Sequence, residues 1–189
     1  MATTIEEVPK LEENPRGIPR APFVQDVEKH LGSPDAEVES SIRAFQEAIS
    51  KYKYMENNLL QRKKGLEEKI PDIKKTLVMV QLLQDRKNAD ITEPMTGTFE
   101  LNDTLWAEAV VDNTDEVYLW LGANVMLSYP VSDALTLLQT KLKGAQTNLK
   151  GIVDDLEFIR EQVTVMEVNT ARVYNYDVRR RRQKGLTKS

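Results

Sequence analysis

The most regular feature of the sequence is a heptad pattern that occurs twice. Over residues 33–87, apolar residues recur in alternating steps of three and four, as at the a and d positions of a coiled coil. Pro71 falls at a solvent-facing position of this repeat, where a kink or short break is expected. Residues 132–182 keep the pattern without a slip and begin at Ser132, a favoured helix N-cap residue. Two long helices are therefore predicted.

Enough chain separates the two helices for the second to return along the first. An antiparallel hairpin within one chain is the economical arrangement, because each helix alone would expose its apolar stripe to water. Pairing a with d positions leaves two registers open. Leu77 faces Leu138 in one register and Ala145 in the other.

Between the helices, residues 88–131 lose the helical period and are predicted to form two β-hairpins. The turns are supplied by Asp, Asn, Thr and Gly residues. The second hairpin lies in residues 117–130, VYLWLGANVMLSYP, which contain no charged residue and are apolar on both strand faces. The predicted strands cover residues 98–102, 105–111, 117–121 and 125–129.

A strand that is apolar on both faces needs cover on both faces. The helices cannot provide it if their stripes pack on each other, so we predict that the hairpins form an oligomerisation platform with other chains. The alternative is a small local core under the helix ends. The predicted platform residues are Leu105, Trp106, Val117, Tyr118, Leu119, Trp120, Leu121, Val125, Met126, Leu127 and Tyr129.

The segments outside the helices and hairpins are short. Residues 1–20 are rich in proline and charge and are predicted to be a flexible leader. Residues 21–32 are predicted to form a short docking helix that ends at Gly32. Residues 183–189 are predicted to be a disordered tail.

Composition argues against several functional classes. The 189 residues have a net charge of −4, no cysteine and one histidine, and no glycine-rich phosphate loop is present. We therefore expect a protein without enzymatic activity, cofactor, nucleic-acid partner or membrane partner. No signal-peptide pattern is present, which predicts a cytoplasmic location.

Five stretches, in order over residues 17–182, resemble α-type prefoldin subunits, and in particular the subunit-3 family: GIPRAPFVQDV, KYKYMENNL, KIPDIKKTL, YLWLGANVMLSY and ARVYNYDVRRR. The resemblance implies a mainly α fold in which two β-hairpins join a long coiled-coil hairpin. It also implies a subunit of a heterohexameric, ATP-independent co-chaperone with two α-type and four β-type subunits. The implied partners are the other prefoldin subunits, unfolded actin and tubulin, and the cytosolic chaperonin.

The resemblance further implies that the helix ends form a tip where unfolded clients bind. Thr170 and Asp177 occupy a positions and weaken the apolar seam there, so the tip is expected to fray and expose its apolar residues. The alternative is that these residues are ordinary seam contacts. The predicted client-binding residues are Ile42, Phe45, Ile49, Tyr52, Met166, Val173, Tyr174 and Tyr176.

A basic run follows the second heptad region and comprises Arg179, Arg180, Arg181 and Arg182. It is predicted either to be a solvated helix end or to dock on an acidic patch of the chaperonin or client. It also resembles a nuclear localisation run. A coiled-coil scaffold or tethering protein that forms a parallel homodimer is the alternative function.

Overall fold

The computed structural model describes residues 14–33 and 37–186. Within them the fold is mainly α with two β-hairpins, as predicted. The chain divides into two compact units, one combining the chain up to Lys64 with the chain from Lys150 onward and the other spanning Gly65–Leu149. In chain order the elements are α1 (Val27–Leu31), α2 (Val38–Asn88), β1 (Met95–Asn102), β2 (Leu105–Val111), β3 (Glu116–Gly122), β4 (Val125–Pro130) and α3 (Val131–Leu186).

Helix α2 is continuous through Pro71, so the structure has no break there, and a kink at Pro71 stays a prediction. A proline inside a helix removes one hydrogen bond and crowds the preceding turn. Pro71 is exposed, as its heptad position predicted, while Ile70 is buried and Ile73 is partly buried. Apolar packing therefore continues across the lost hydrogen bond.

The first unit pairs the beginning of α2 with the end of α3, as an antiparallel hairpin requires. Its core contains Phe45 and Tyr52 from α2 and Ile159, Met166 and Val173 from α3. The side chain of Glu56 accepts a hydrogen bond from Arg160 Nε at 3.2 Å across the helix pair. This ion pair fits the register in which Leu77 faces Leu138.

The second unit contains the end of α2, the beginning of α3 and both hairpins. Leu77 and Leu138 belong to one apolar cluster in this unit, together with Val80, Val131 and Ala134. The structure therefore selects the first of the two registers that the sequence left open.

Each β-hairpin forms a separate antiparallel sheet of two strands. β1 is longer than the predicted strand 98–102, because Met95 pairs with Val111 and Gly97 with Ala109. In the second sheet, Leu119 is opposite Leu127, and the turn residues Ala123 and Asn124 have positive φ angles of 49° and 61°. Two successive positive φ angles are typical of a type I′ turn, which matches the twist of the strands.

The N-terminal segment differs from the prediction in two ways. The docking helix is only the single turn α1, capped by Asp26 and ended by Gly32, and residues 21–26 are not helical. Pro19 and Pro22 disfavour a helical conformation in the residues before them. Residues 14–20, predicted to be flexible, pack on the first unit through Ile18. Residues 1–13 of the predicted leader lie outside the described residues.

Helix α3 also exceeds its predicted limits. It begins at Val131, directly after β4, so Ser132 is inside the helix and is not its N-cap. At the other end it continues to Leu186, past the predicted limit at residue 182. Residues 187–189 of the predicted tail, and residues 34–36, are not described.

Candidate assembly surface and candidate client site

One face of the second hairpin is covered within the chain. Leu119 is only 8% exposed and packs among residues of α2 and α3, including Val80 and Val131. The partly buried residues beside it are Val117, Leu121 and Tyr129. The prediction that neither face has a partner in this chain was therefore wrong for this face, because the helix ends keep apolar surface for the hairpin.

Polar contacts fix the second hairpin to both helices. Lys87 Nζ, near the end of α2, lies 2.6 Å from Asp115 Oδ1. The hydrogen bond and the positive charge of Lys87 lower the pKa of Asp115. The backbone carbonyl of Asp115 also accepts a hydrogen bond from the Val131 N–H at the start of α3, at 3.1 Å. The orientation of the hairpin on the helix ends is thus set by one residue that contacts both helices.

The opposite face of the second hairpin is exposed. Trp120 is 59% exposed and lies opposite Met126, and Tyr118 lies opposite Ser128. The Ser128 hydroxyl donates to Glu116 Oε2 at 2.6 Å, so the polar members of this face pair with each other. The aromatic and thioether side chains remain without cover from the described residues.

The first hairpin has no buried residue on either face. Leu105 and Trp106, both predicted platform residues, are exposed. Four further exposed side chains were not among the predicted platform residues, although they lie on the paired strands β1 and β2: Phe99, Leu101, Val110 and Val111. We call the exposed apolar side chains of both hairpins the platform surface; they are Phe99, Leu101, Leu105, Trp106, Val110, Val111, Tyr118, Trp120, Val125, Met126 and Leu127.

The hairpin edges add a second feature to this surface. Among the described residues each sheet has two strands only, so every strand keeps one edge without a strand partner. Unpaired edge N–H and C=O groups are templates for pairing with another chain. Exposed apolar patches of this kind are typical of interaction sites.

The predicted client-binding residues do not form an exposed tip in this structure. Phe45, Tyr52, Met166 and Val173 are buried in the seam of the first unit. The three partly buried members of the set are Ile42, Ile49 and Tyr176, and only Tyr174, at 60%, is largely exposed. The described residues therefore show no frayed tip, and client contact at these positions stays a prediction.

Two polar residues explain why the seam holds. The Thr170 hydroxyl donates to the Met166 carbonyl at 2.8 Å, so it is satisfied within its own helix. Buried Asp177 accepts from Arg180 Nη2 and Arg181 Nε, both at 2.7 Å. Because a buried carboxylate is tolerated when it is paired, Asp177 does not open the helix pair.

Those contacts also change the picture of the basic run. Arg180 and Arg181 are engaged on their own helix, whereas the predicted docking role needs arginines that face a partner. Arg179 and Arg182 are exposed. The four arginines therefore do not form one uniform surface.

The N-terminal segment lies along α3 and closes the seam. We call residues 14–25 the strap. Its backbone N–H groups at Ala21 and Val24 donate to Gln162 Oε1 and Asn169 Oδ1, at 3.0 and 2.9 Å. Its end at Arg16 contacts Asp155 Oδ2 at 2.5 Å. The three α3 residues are buried polar groups spaced by seven, a pattern that is visible in the sequence but was not recognised there.

On the helix α2 side, the strap is held by one tyrosine. The Tyr52 hydroxyl donates to the Pro19 carbonyl at 2.8 Å. Burial raises the pKa of Tyr52, because the phenolate would lose its hydration. Farther along, the His30 ring stacks on Phe45 with centroids 5.5 Å apart. The strap and α1 therefore cover residues that the sequence assigned to client binding.

Comparison with known proteins decides the family. A model described as prefoldin subunit matches residues 52–176, which include both hairpins and most of both long helices. The chain belongs to the prefoldin family. It is 56% identical to "Prefoldin subunit 3" of Elsinoe fawcettii, over 90% of this chain and 85% of that protein. It is 53% identical to "Probable prefoldin subunit 3" of Schizosaccharomyces pombe, over 87% of this chain and 93% of that protein.

A solved structure is also similar to this prefoldin chain. A chain of filamentous PFD from Methanocaldococcus jannaschii, determined by cryo-EM, matches with a TM-score of 0.49 and 16% identity. The match covers 65% of this chain and 98% of the solved chain. Independently of that structure, the curated relatives identify a prefoldin co-chaperone subunit that assembles with other prefoldin subunits.

Two further observations concern the described residues only. No helix within residues 14–33 and 37–186 combines the length and apolar character needed to cross a membrane. The same residues contain no group of three or more His, Asp or Glu side chains arranged to hold a metal ion.

Proposed function

We propose that this chain is the α-type subunit of a heterohexamer that captures unfolded polypeptides without ATP and delivers them to the cytosolic chaperonin. Actin and tubulin are the proposed clients, and the cytoplasm, with a nuclear pool, is the proposed location. The family assignment supports this function as a whole. The platform surface is the observation in the chain itself that supports assembly as its first step.

The two faces of the second hairpin have different roles in the proposed complex. The face that contains Leu119 packs mainly on the chain's own helices, although Leu127, opposite Leu119, stays 47% exposed. The face that contains Tyr118 and Trp120 is left for neighbouring subunits. Aromatic side chains bury large areas at interfaces and lose few rotamers on binding. We therefore assign subunit contacts to the exposed side chains of the second hairpin, including Val125 and Leu127, and to both faces of the first.

The same observations argue against the homodimeric scaffold. A long parallel homodimer would need the apolar seams of α2 and α3 for the second copy. Within this chain those seams already pack on each other, as the buried residues Phe45, Ile159 and Val173 illustrate. A homodimer joined through its helices would also leave eleven apolar side chains of the hairpins exposed to water.

The experiment is reconstitution of the chain with the other prefoldin subunits. Native mass spectrometry should give one hexamer with two α-type subunits, of which this chain is one, and four β-type subunits. The complex should hold denatured actin or tubulin in solution without ATP and release it to purified chaperonin. A homodimer of this chain that takes up no prefoldin subunit would reject the proposal.

The basic run can be tested in the same system. We assign chaperonin docking to Arg179 and Arg182, whose side chains are exposed. Their joint replacement by Glu should weaken chaperonin binding, most strongly at low salt, because screening reduces the attraction between surface charges. Unchanged binding at every salt concentration would reject this assignment while leaving client capture intact.

A further inference from the structure

The hydrogen-bond donors of the strap have the same spacing as their acceptors on α3. The accepting side chains of Gln162 and Asn169 are seven residues apart, which is roughly 10.5 Å along a helix. The donating N–H groups of Ala21 and Val24 are three residues apart, which is about 10 Å in an extended chain. Three residues in an extended conformation would therefore span one heptad of α3, which fits the two hydrogen bonds.

The side chains of α3 form their hydrogen bonds with backbone groups of the strap. Gln162 accepts from a backbone N–H, and Asn169 both accepts from Val24 N and donates to the Pro22 carbonyl at 2.7 Å. Arg172 donates to the Gln25 carbonyl, also at 2.7 Å. Every extended polypeptide carries such groups, except that proline lacks the N–H. A groove of this kind can bind extended segments of many sequences.

The side chains of the strap show what the groove accepts. Ala21 and Val24 are buried against the helix pair. Phe23 remains half exposed, with the Arg172 guanidinium 5.3 Å from its ring centroid. Beside Pro19 a cavity of about 610 Å³, lined by Tyr52 and Met55 among others, lies open. The groove therefore takes a small apolar side chain at every third position and has apolar space beside it.

We propose that this groove, formed by Tyr52, Gln162 and Asn169, is a binding site for an extended apolar stretch of an unfolded polypeptide. The strap is its intramolecular occupant and leaves when a client segment replaces it. This inference rests on the proposed function, since it names how a client is held. It also accounts for buried residues such as Met166 at the predicted client site: displacement of the strap uncovers them.

Locking the strap is the first test. The chain has no cysteine, so Phe23→Cys with Arg172→Cys gives a unique pair whose parent side chains are in contact. A short bifunctional thiol reagent should then fix the strap in the groove of the assembled complex. We expect the affinity of the complex for denatured actin to fall at least about tenfold, because the cross-link prevents the strap from leaving the groove. The matched controls are the unreacted double variant and the reagent-treated parent.

Loosening the strap is the second test. A methyl group at Gly151 would overlap the guanidinium of Arg16 and push it from Asp155, whereas nothing lies near the same position at Gly144. Both glycines are in α3, so Gly144→Ala is the matched control for Gly151→Ala. We expect Gly151→Ala to tighten binding by about two- to fivefold, by raising the open fraction, and Gly144→Ala to leave it unchanged.

A peptide probe separates the groove from client holding. A labelled peptide NPRGIPRAPFVQ, identical to the strap, should bind the Gly151→Ala complex more tightly than the parent, and Asn169→Ala should weaken this binding. If the parent holds denatured actin but the locked and loosened complexes hold it equally well, the inference is overturned and the proposed function stands. If the parent holds no client but the peptide binds as expected, the proposed function is rejected, and the groove is still shown to bind an extended polypeptide.

Discussion

Val24 donates its backbone N–H to Asn169 Oδ1 over 2.9 Å, and Asn169 returns a hydrogen bond to the carbonyl of Pro22. Asn169 is 0% exposed. A buried amide costs free energy unless both its donor and its acceptor are used, and the strap supplies a partner for each. The strap and α3 are therefore energetically linked.

Replacement of Asn169 should show this linkage as a loss of stability. Asn169→Ala removes both hydrogen bonds to the strap and leaves two backbone groups to find water. We expect the free energy of unfolding to fall by about 1–3 kcal/mol. Urea unfolding followed by circular dichroism measures it. Asn175→Ala, an exposed position of the same helix, should change it little, and equal effects of the two variants would contradict the prediction.

The two glycines of α3 should respond differently to alanine. Gly144→Ala has open space around the new methyl group and should stabilise the helix by up to about 1 kcal/mol. Gly151→Ala gains the same helix propensity but displaces Arg16, so its net gain should be smaller. The difference between the two midpoints in urea reports the contribution of the Arg16–Asp155 contact. An equal gain at both positions would show that this contact contributes nothing.

Adjacent residues of β3 should have opposite effects on folding and assembly. Leu119→Ala removes a buried side chain and should destabilise the subunit by about 2–5 kcal/mol. Trp120→Ser changes an exposed side chain, so the isolated chain should keep its stability while its assembly with other prefoldin subunits weakens. Thermal unfolding and native mass spectrometry separate the two effects. Normal assembly of the Trp120→Ser chain would remove this residue from the platform surface.

The turn of the second hairpin should be improved by glycine. Ala123 has a φ of 49°, a conformation that costs an alanine about 1–2 kcal/mol. Ala123→Gly relieves that cost and should raise the free energy of unfolding, in part offset by glycine's greater freedom in the unfolded chain. Ala109→Gly, inside β2, should have the opposite sign, because glycine weakens a strand interior. A loss of stability at both positions would contradict the conformational argument.

Tyr52 should make stability depend on alkaline pH. Its pKa in the folded state is raised by burial above the ordinary value of about 10. The unfolded chain releases the Tyr52 proton at a lower pH than the folded chain does. The contribution of Tyr52 to the free energy of unfolding is therefore fully present below pH 10 and is lost as the pH rises through the folded-state pKa. Tyr52→Phe should weaken this alkaline loss while costing stability at pH 8 through the lost bond to Pro19. Tyr54→Phe, which removes the hydroxyl of an exposed neighbour, is the matched control.

Periodicity predicted the long elements well, for a physical reason. A heptad repeat states which face of a helix is apolar, and two such helices in one chain have few ways to cover both faces. The apolar run Val117–Leu121, bounded by turn residues, likewise predicted a strand. The structure then confirmed both helices and both hairpins. The choice between Leu138 and Ala145 as the partner of Leu77 could not be made from sequence, because both registers satisfy the same pattern.

The predictions failed where cover depends on a segment distant in the sequence. The Leu119 face was expected to need another chain, but the ends of α2 and α3 cover it. The seam at Met166 was expected to be exposed, but it is buried in a core that the strap completes. In both cases local periodicity identifies an apolar face but does not show which segment of the protein packs on it.

What the sequence determined by itself is the set of apolar faces: two helical stripes, the strand faces of residues 117–130, and the polar residues Asp155, Gln162 and Asn169 at seven-residue spacing. Those faces are local properties, fixed by the geometry of helix and strand. Only the tertiary structure decided their partners. A strap more than a hundred residues away supplies the hydrogen bonds of Asn169, and such pairings depend on chain closure rather than on any local preference.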